Sequence, residues 1–244
     1  MTTELSDNAT APSAEPRQSA LTTLAGMFYE PTKSFMAIKQ NSMLLLPLLL
    51  AIIGTVVLVF WYYSQVDMAW LQDKMLAGQE LEPAQREAAL KFMTRSTMQG
   101  TGAAAGALIP LVLYALMALY FLIVSKVMDV SVTYGKWFAM ATWAGVPGLI
   151  GIVLGFVQIL LAEHGQLAPN QLNPLTINQL LFHLDMGTPW SALLDSISVT
   201  TLWSIVLLAI GFQAWSNRSR SVSLAIAAAP AIVVWVGMAL VQVK

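Results

Sequence analysis

Five apolar stretches without a formal charge dominate this chain and decide what it can fold into. They lie between Lys39 and Asp67, Arg95 and Lys126, Lys136 and Glu163, Asp195 and Arg218, and Arg220 and Lys244, and each is longer than 20 residues. A helix of about 20 apolar residues crosses about 30 Å of hydrocarbon. Backbone groups in lipid must be bonded within their own segment, so each stretch predicts a helix. A soluble core of five such helices would leave too little polar surface to cover it. The expected fold class is all-α: a polytopic membrane helix bundle over residues 43–244, with amphipathic flanking segments. The spans are expected at about 43–63, 101–124, 137–162, 190–215 and 221–243.

Composition narrows the chemistry. Charged residues make up 10 % of the chain, against about 25 % in soluble domains. A net charge of -1 supplies no basic field for nucleic acid. The absence of cysteine excludes disulfides, thiolate catalysis and Cys-ligated metal. His164 and His183, with Glu163 and Asp185 nearby, lack the HExxH spacing of a zinc helix. There is no GxSxG elbow, no Walker phosphate loop and no GxGxxG after a strand. The expectation is a non-enzymatic protein with no catalytic, cofactor-binding or metal-ligating residue and no cofactor.

Residues 1–19 are polar, small and Pro-containing, and predict disorder. They lack the basic start and apolar core of a signal peptide, so the first span is expected to anchor the protein uncleaved. Residues 20–42 place Leu21, Leu24, Phe28, Phe35 and Ile38 among Lys33 and Lys39, with Pro31 dividing them into two helical pieces. This pattern predicts an amphipathic segment lying along the membrane surface. Trp61, Tyr62 and Tyr63 close the first span as interfacial rings. In the charged segment 64–99, Glu82-Pro83 marks a helix start. Ala89, Phe92 and Met93 share a face there, and Glu87 and Lys91 form an i,i+4 pair. An interfacial helix, a partner-binding surface and a solvated hairpin all fit this segment.

The short loop between Ser125 and Lys136 makes the second and third spans an antiparallel pair. In the third, Gly151 and Gly155 form a GxxxG pair with Gly148 nearby, a close-packing face used within the chain or for a homodimer. Pro147, between Gly145 and Gly148, is the expected kink, and such a break can line a cavity. The loop 163–188 is rich in Asn, Gln, Leu and His and has no Lys or Arg. Thr188-Pro189 reads as the cap of the fourth span. Asp195 then falls in its second turn, followed by Ser196, Ser198, Thr200, Thr201 and Ser204. An acid near a helix start suits the macrodipole, so a structural role is one reading of Asp195 and a functional role the other. With the N-terminus in the cytoplasm, the two short loops placed inside carry two basic residues each and the 163–188 loop none. Charge bias therefore favours N-terminus in and C-terminus out.

These residues carry a family resemblance. The chain resembles the bacterial branch of the Yip-one family (Ypt/Rab-interacting-protein type) of five-span membrane proteins. The likeness begins at Tyr29-Glu30-Pro31-Thr32-Lys33-Ser34-Phe35, similar to the family's Pro-x-x-x-Phe segment. It continues through Val130-Ser131-Val132-Thr133-Tyr134 to Thr142-Trp143-Ala144-Gly145-Val146-Pro147. It closes with Leu193-Leu194-Asp195-Ser196-Ile197, Leu202-Trp203 and Ile210-Gly211. It implies a helical bundle with a cytoplasmic N-terminus in a bacterial inner membrane, and an accessory role beside another membrane complex such as an ABC-type exporter. Pro31, Pro147 and Asp195 stand at family positions without an assigned chemical role, and Phe35 and Trp203 join them as candidate functional or packing positions.

Two functions follow as expectations. One is an accessory or scaffold protein bound to membrane lipid and to a membrane-protein partner, with ABC transporter subunits as the partner class and a homo-oligomer allowed. The other is a small transporter or lipid-handling protein with a cavity near Pro147 and Asp195.

Overall fold

The uncharged stretches form helices in a computed structural model that describes residues 19–41, 43–77, 79 and 81–242. The expected disorder of residues 1–19 lies outside the described residues, apart from Ser19. Among the described residues eleven α-helices run in order: α1 (Ala20–Tyr29), α2 (Pro31–Gln40), α3 (Leu45–Gln65), α4 (Met68–Leu76), α5 (Pro83–Phe92), α6 (Arg95–Val127), α7 (Tyr134–Ala144), α8 (Gly148–Leu161), α9 (Ser191–Ser196), α10 (Val199–Ser216) and α11 (Arg220–Gln242). Five of the resulting rods are long and apolar enough to cross a membrane: α3, α6, α7 with α8, α10 and α11. Among the described residues there is no strand, only an isolated antiparallel bridge between Thr176 and Ser198. The protein is an all-α polytopic bundle whose outer apolar side chains, such as Val112, Ile123, Val233 and Val236, are exposed where lipid would lie.

Local chemistry sets the helix ends. Pro31 stands at the first position of α2, where its missing N–H is no loss. Asp67 accepts from the N–H groups of Ala69 and Trp70 to cap α4. Thr94 caps α6 and Ser198 caps α10 by accepting from Thr97 and Thr201. Asn217 adopts a left-handed conformation (φ 55°) that ends α10 and turns the chain into α11.

One end of the bundle carries α1, α2, the Asp129–Thr133 connection and the turn at Asn217, joined by Arg218 donating to the Met128 carbonyl at 2.7 Å. Phe121, Trp137, Phe212 and Trp215 stack there with ring centroids 5.2–5.8 Å apart. The Trp137 indole donates to Ser125 Oγ at 3.2 Å, and the Trp215 indole to the Phe35 carbonyl at 2.9 Å. Trp143 donates to the Met43 carbonyl. Helices α1 and α2 pack against this end of the bundle. Met27, Phe35 and Ile38 are wholly buried, and α2 docks on α7 and α10. The reason is a fitted contact: a Cβ at Gly211 would lie 3.2 Å from the Phe35 ring. Leu21, Phe28, Tyr29 and Met36 remain exposed on the outer side.

The third span breaks between α7 and α8, at Gly145-Val146-Pro147. Shorter i→i+3 bonds satisfy the backbone across the break, from Val146 N–H to the Trp143 carbonyl and from Gly148 N–H to the Gly145 carbonyl. Pro147 is buried and Val146 is packed in the core, so the kink is filled. The fourth span also differs from expectation. It does not start at Pro189 and run unbroken to Trp215. Trp190, in a left-handed conformation (φ 68°), precedes the short α9, and the membrane helix α10 starts at Val199. The break at Ile197-Ser198 is held because the Ile197 carbonyl accepts from Ile177 N–H at 2.8 Å. Val199 N–H donates to the Leu175 carbonyl at 3.0 Å.

Candidate functional site

The opposite end of the bundle holds α4, α5, the last residue of α11 and the segment 163–198. A polar loop rich in Asn and Gln would be expected to lie outside the membrane, yet this one folds back into the bundle. Gly165 first pins it to the end of α3, its carbonyl accepting from Asp67 N–H at 3.0 Å. Gly165 has φ +69°, and a Cβ there would meet the Gln65 carbonyl oxygen at 2.5 Å, so glycine is required. The Tyr62 hydroxyl next donates to the Leu167 carbonyl at 2.8 Å. The chain then runs antiparallel to α8. The Leu172 carbonyl lies 3.2 Å from a Cβ placed at Gly155, and the Asn173 amide 3.6–3.8 Å from one placed at Gly151.

Gly151 lies ten residues from the end of α8, about 15 Å along the axis and about half a hydrocarbon thickness. Its neighbour Ile152 packs on Gly54, near the middle of α3. Irregular backbone at that depth is tolerated only inside protein or beside water. Here the first condition holds. Thr176, Asn178 and Ser198 are buried, and each side chain is hydrogen-bonded, Thr176 Oγ1 accepting from Gln179 N–H and Ser198 Oγ from Thr201 N–H. After the Thr176–Ser198 bridge the chain turns outward to Asp185, which pairs with Lys74 at 2.7 Å. It returns through α9.

Asn178 is the hub of this lobe. Wholly buried, it accepts from Leu184 N–H at 2.8 Å, and its amide nitrogen donates to the Leu184 carbonyl at 3.0 Å and to Asp195 Oδ1 at 2.9 Å. Asn170 Nδ2 donates to the other Asp195 oxygen at 3.3 Å, while Asn170 Oδ1 is buried without a partner. Both donors to Asp195 are neutral, and among the described residues no Lys, Arg or His pairs with it. Beside Asp195 is an open cleft of about 410 Å³, lined by the 186–189 loop, Ser191, Ala192 and Gln242. Trp190 N–H donates to Gln242 Oε1 at 3.4 Å, tying this rim to the end of α11.

The residues singled out from the sequence scatter over two ends of the molecule. Pro31 and Phe35 belong to the docked α2. Pro147 marks the filled kink. Gly151 faces Asn173, Gly155 faces Leu58 and Leu172, and a Cβ at Gly148 would meet nothing within 4 Å. The Gly151 and Gly155 positions are thus covered by the chain itself. Trp203 is exposed on α10. Asp195 alone joins the cleft. Its partners Asn170 and Asn178, and the buried Asn173, Thr176 and Ser198 contacts, escaped the sequence. The available signal was a polar stretch that bars Lys and Arg while keeping Asn and Gln.

A family model described as the Yip1 domain matches residues 25–241. No curated protein and no solved structure gives a significant match.

Proposed function

This chain belongs to the Yip1-domain family, and on that premise we propose that it is a non-enzymatic accessory or scaffold protein that binds another membrane complex. The reading places it in a bacterial inner membrane, with the α1–α2 end cytoplasmic and the α11 end periplasmic. Its partner class is an efflux-type ABC transporter. The observation that carries the reading is the arm formed by α4 and α5. Helix α5 buries none of its residues and ends in Phe92, which is 72 % exposed. Charged residues surround it, with Arg86 paired to Asp73 at 3.0 Å and Lys91 to Glu87 at 2.8 Å. Gln72 Nε2 of α4 donates to the carbonyl of Met93, the residue that ends α5, at 2.9 Å and braces the two helices of the arm. A large apolar side chain on a positioned, solvated helix suits insertion into a partner's pocket.

Affinity purification from native membranes in mild detergent, with mass spectrometry of what co-elutes, tests this reading. Stoichiometric transporter subunits are expected with the wild type and lost with Phe92→Asp. Repeated recovery of the protein without partner subunits contradicts it.

The Asp195 cleft favours a second reading, a lipid-handling role. It relocates the expected cavity: the space lies beside Asp195 at the α11 end, while Pro147 is buried within the core. Selective retention of one lipid class through purification is the expected observation.

A further inference from the structure

Resting on the lipid-handling reading, we propose that the cleft beside Asp195 is a headgroup site for a phospholipid bearing a primary ammonium. Location comes first. Gln242 is the last residue of α11, a helix of 23 residues, about 34 Å long, so the cleft it lines sits at a membrane–water boundary. The neighbours of its lining residues are apolar and exposed: Leu240 and Val241 before Gln242, and Trp190 after Pro189. Such side chains accommodate acyl chains and an interfacial ring, so a lipid reaches the cleft without leaving the bilayer.

Charge and donor set come second. Asp195 places a carboxylate at the cleft, and the neutral amides of Asn170 and Asn178 orient it without cancelling its charge. The hydroxyls of two lining residues have already spent their protons. Thr188 Oγ1 donates to the Asp185 carbonyl at 2.7 Å and Ser191 Oγ to the Thr188 carbonyl at 2.8 Å. Their lone pairs remain as acceptors. One carboxylate and two hydroxyl acceptors match the three donors of a primary ammonium, and the contact to the carboxylate is charge-assisted. A quaternary ammonium has no N–H to offer and is recognised instead by an aromatic cage, which a single Trp does not make. Gln242 gives its carbonyl oxygen to Trp190 N–H, and its amide nitrogen is a donor for the adjoining phosphate.

The test is native mass spectrometry of protein equilibrated with equal amounts of phosphatidylethanolamine, phosphatidylcholine and phosphatidylglycerol. Wild type, Asp195→Asn and Ala192→Phe are compared. Ala192 is an exposed lining residue, so the Phe variant blocks the cleft without entering the core and serves if Asp195→Asn does not fold. The expected result is roughly tenfold preference for phosphatidylethanolamine over phosphatidylcholine, the worth of one charge-assisted hydrogen bond, lost in both variants. Preference retained in both variants overturns the site while leaving the lipid-handling reading intact. Equal binding of phosphatidylethanolamine and phosphatidylcholine overturns ammonium recognition. Wild type that retains no lipid above background overturns the proposal and the lipid-handling reading together.

Discussion

The two ends of this bundle are held by different physics. At the α1–α2 end, four large aromatic rings interlock, and their indole N–H groups bond to a buried hydroxyl and a carbonyl. That end is close-packed. At the other end, side-chain hydrogen bonds of Asn178, Asp195 and Ser198 carry a non-helical segment into the bundle. Packing of rings tolerates little change in volume. A hydrogen-bonded lobe depends on each partner being present. The first arrangement suits stability, and the second leaves an open cleft where chemistry can be read.

Substitutions at each end sharpen this contrast. Trp137→Ala has the largest expected effect, about 3–5 kcal/mol of stability, because its ring touches three others; thermal unfolding in detergent should show a large fall in midpoint. A near-unchanged midpoint would mean that the aromatic cluster is not the core of that end. Asn178→Ala comes next, at about 2–3 kcal/mol, because it leaves the Leu184 N–H and carbonyl without their side-chain partner. Its distinguishing sign is local: faster hydrogen exchange over 170–185 with little change at Phe121 and Trp137. Gly155→Ala is expected to cost about 1–3 kcal/mol by overpacking, since a Cβ there would lie 2.9 Å from the Leu58 side chain. Gly148→Ala, with open space around it, should stay within about 0.5 kcal/mol. Equal effects at the two glycines would deny that the lobe and α3 cover the Gly155 position.

The five rods were legible because gaps between charges alone exceed the length a membrane demands. The break at Pro31 was legible because proline cannot donate, and the kink at Pro147 for the same reason. What covers α2 was not legible: Phe35 finds Gly211 and the Trp215 indole far along the chain. The polar lobe was hidden for a related cause. Its residues follow neither a period of 3.6 nor of 2, and its anchors are distant pairs such as Tyr62 with Leu167 and Gly151 with Asn173. Asp195 stood out by its charge, whereas the neutral asparagines that orient it looked like ordinary loop residues.

The segment 163–198 re-enters the bundle beside α8, and engineered cysteine pairs test this directly. The chain has no cysteine, so an introduced pair reports without interference. In the double variant Gly151→Cys, Asn173→Cys, mild oxidation in native membranes is predicted to form an intramolecular disulfide in nearly all molecules. The control pair Gly151→Cys, Leu181→Cys uses an exposed position and is predicted to form none. A 151–173 pair that stays reduced, with position 173 freely labelled by a membrane-impermeant thiol reagent, would place the segment outside the bundle and contradict the account.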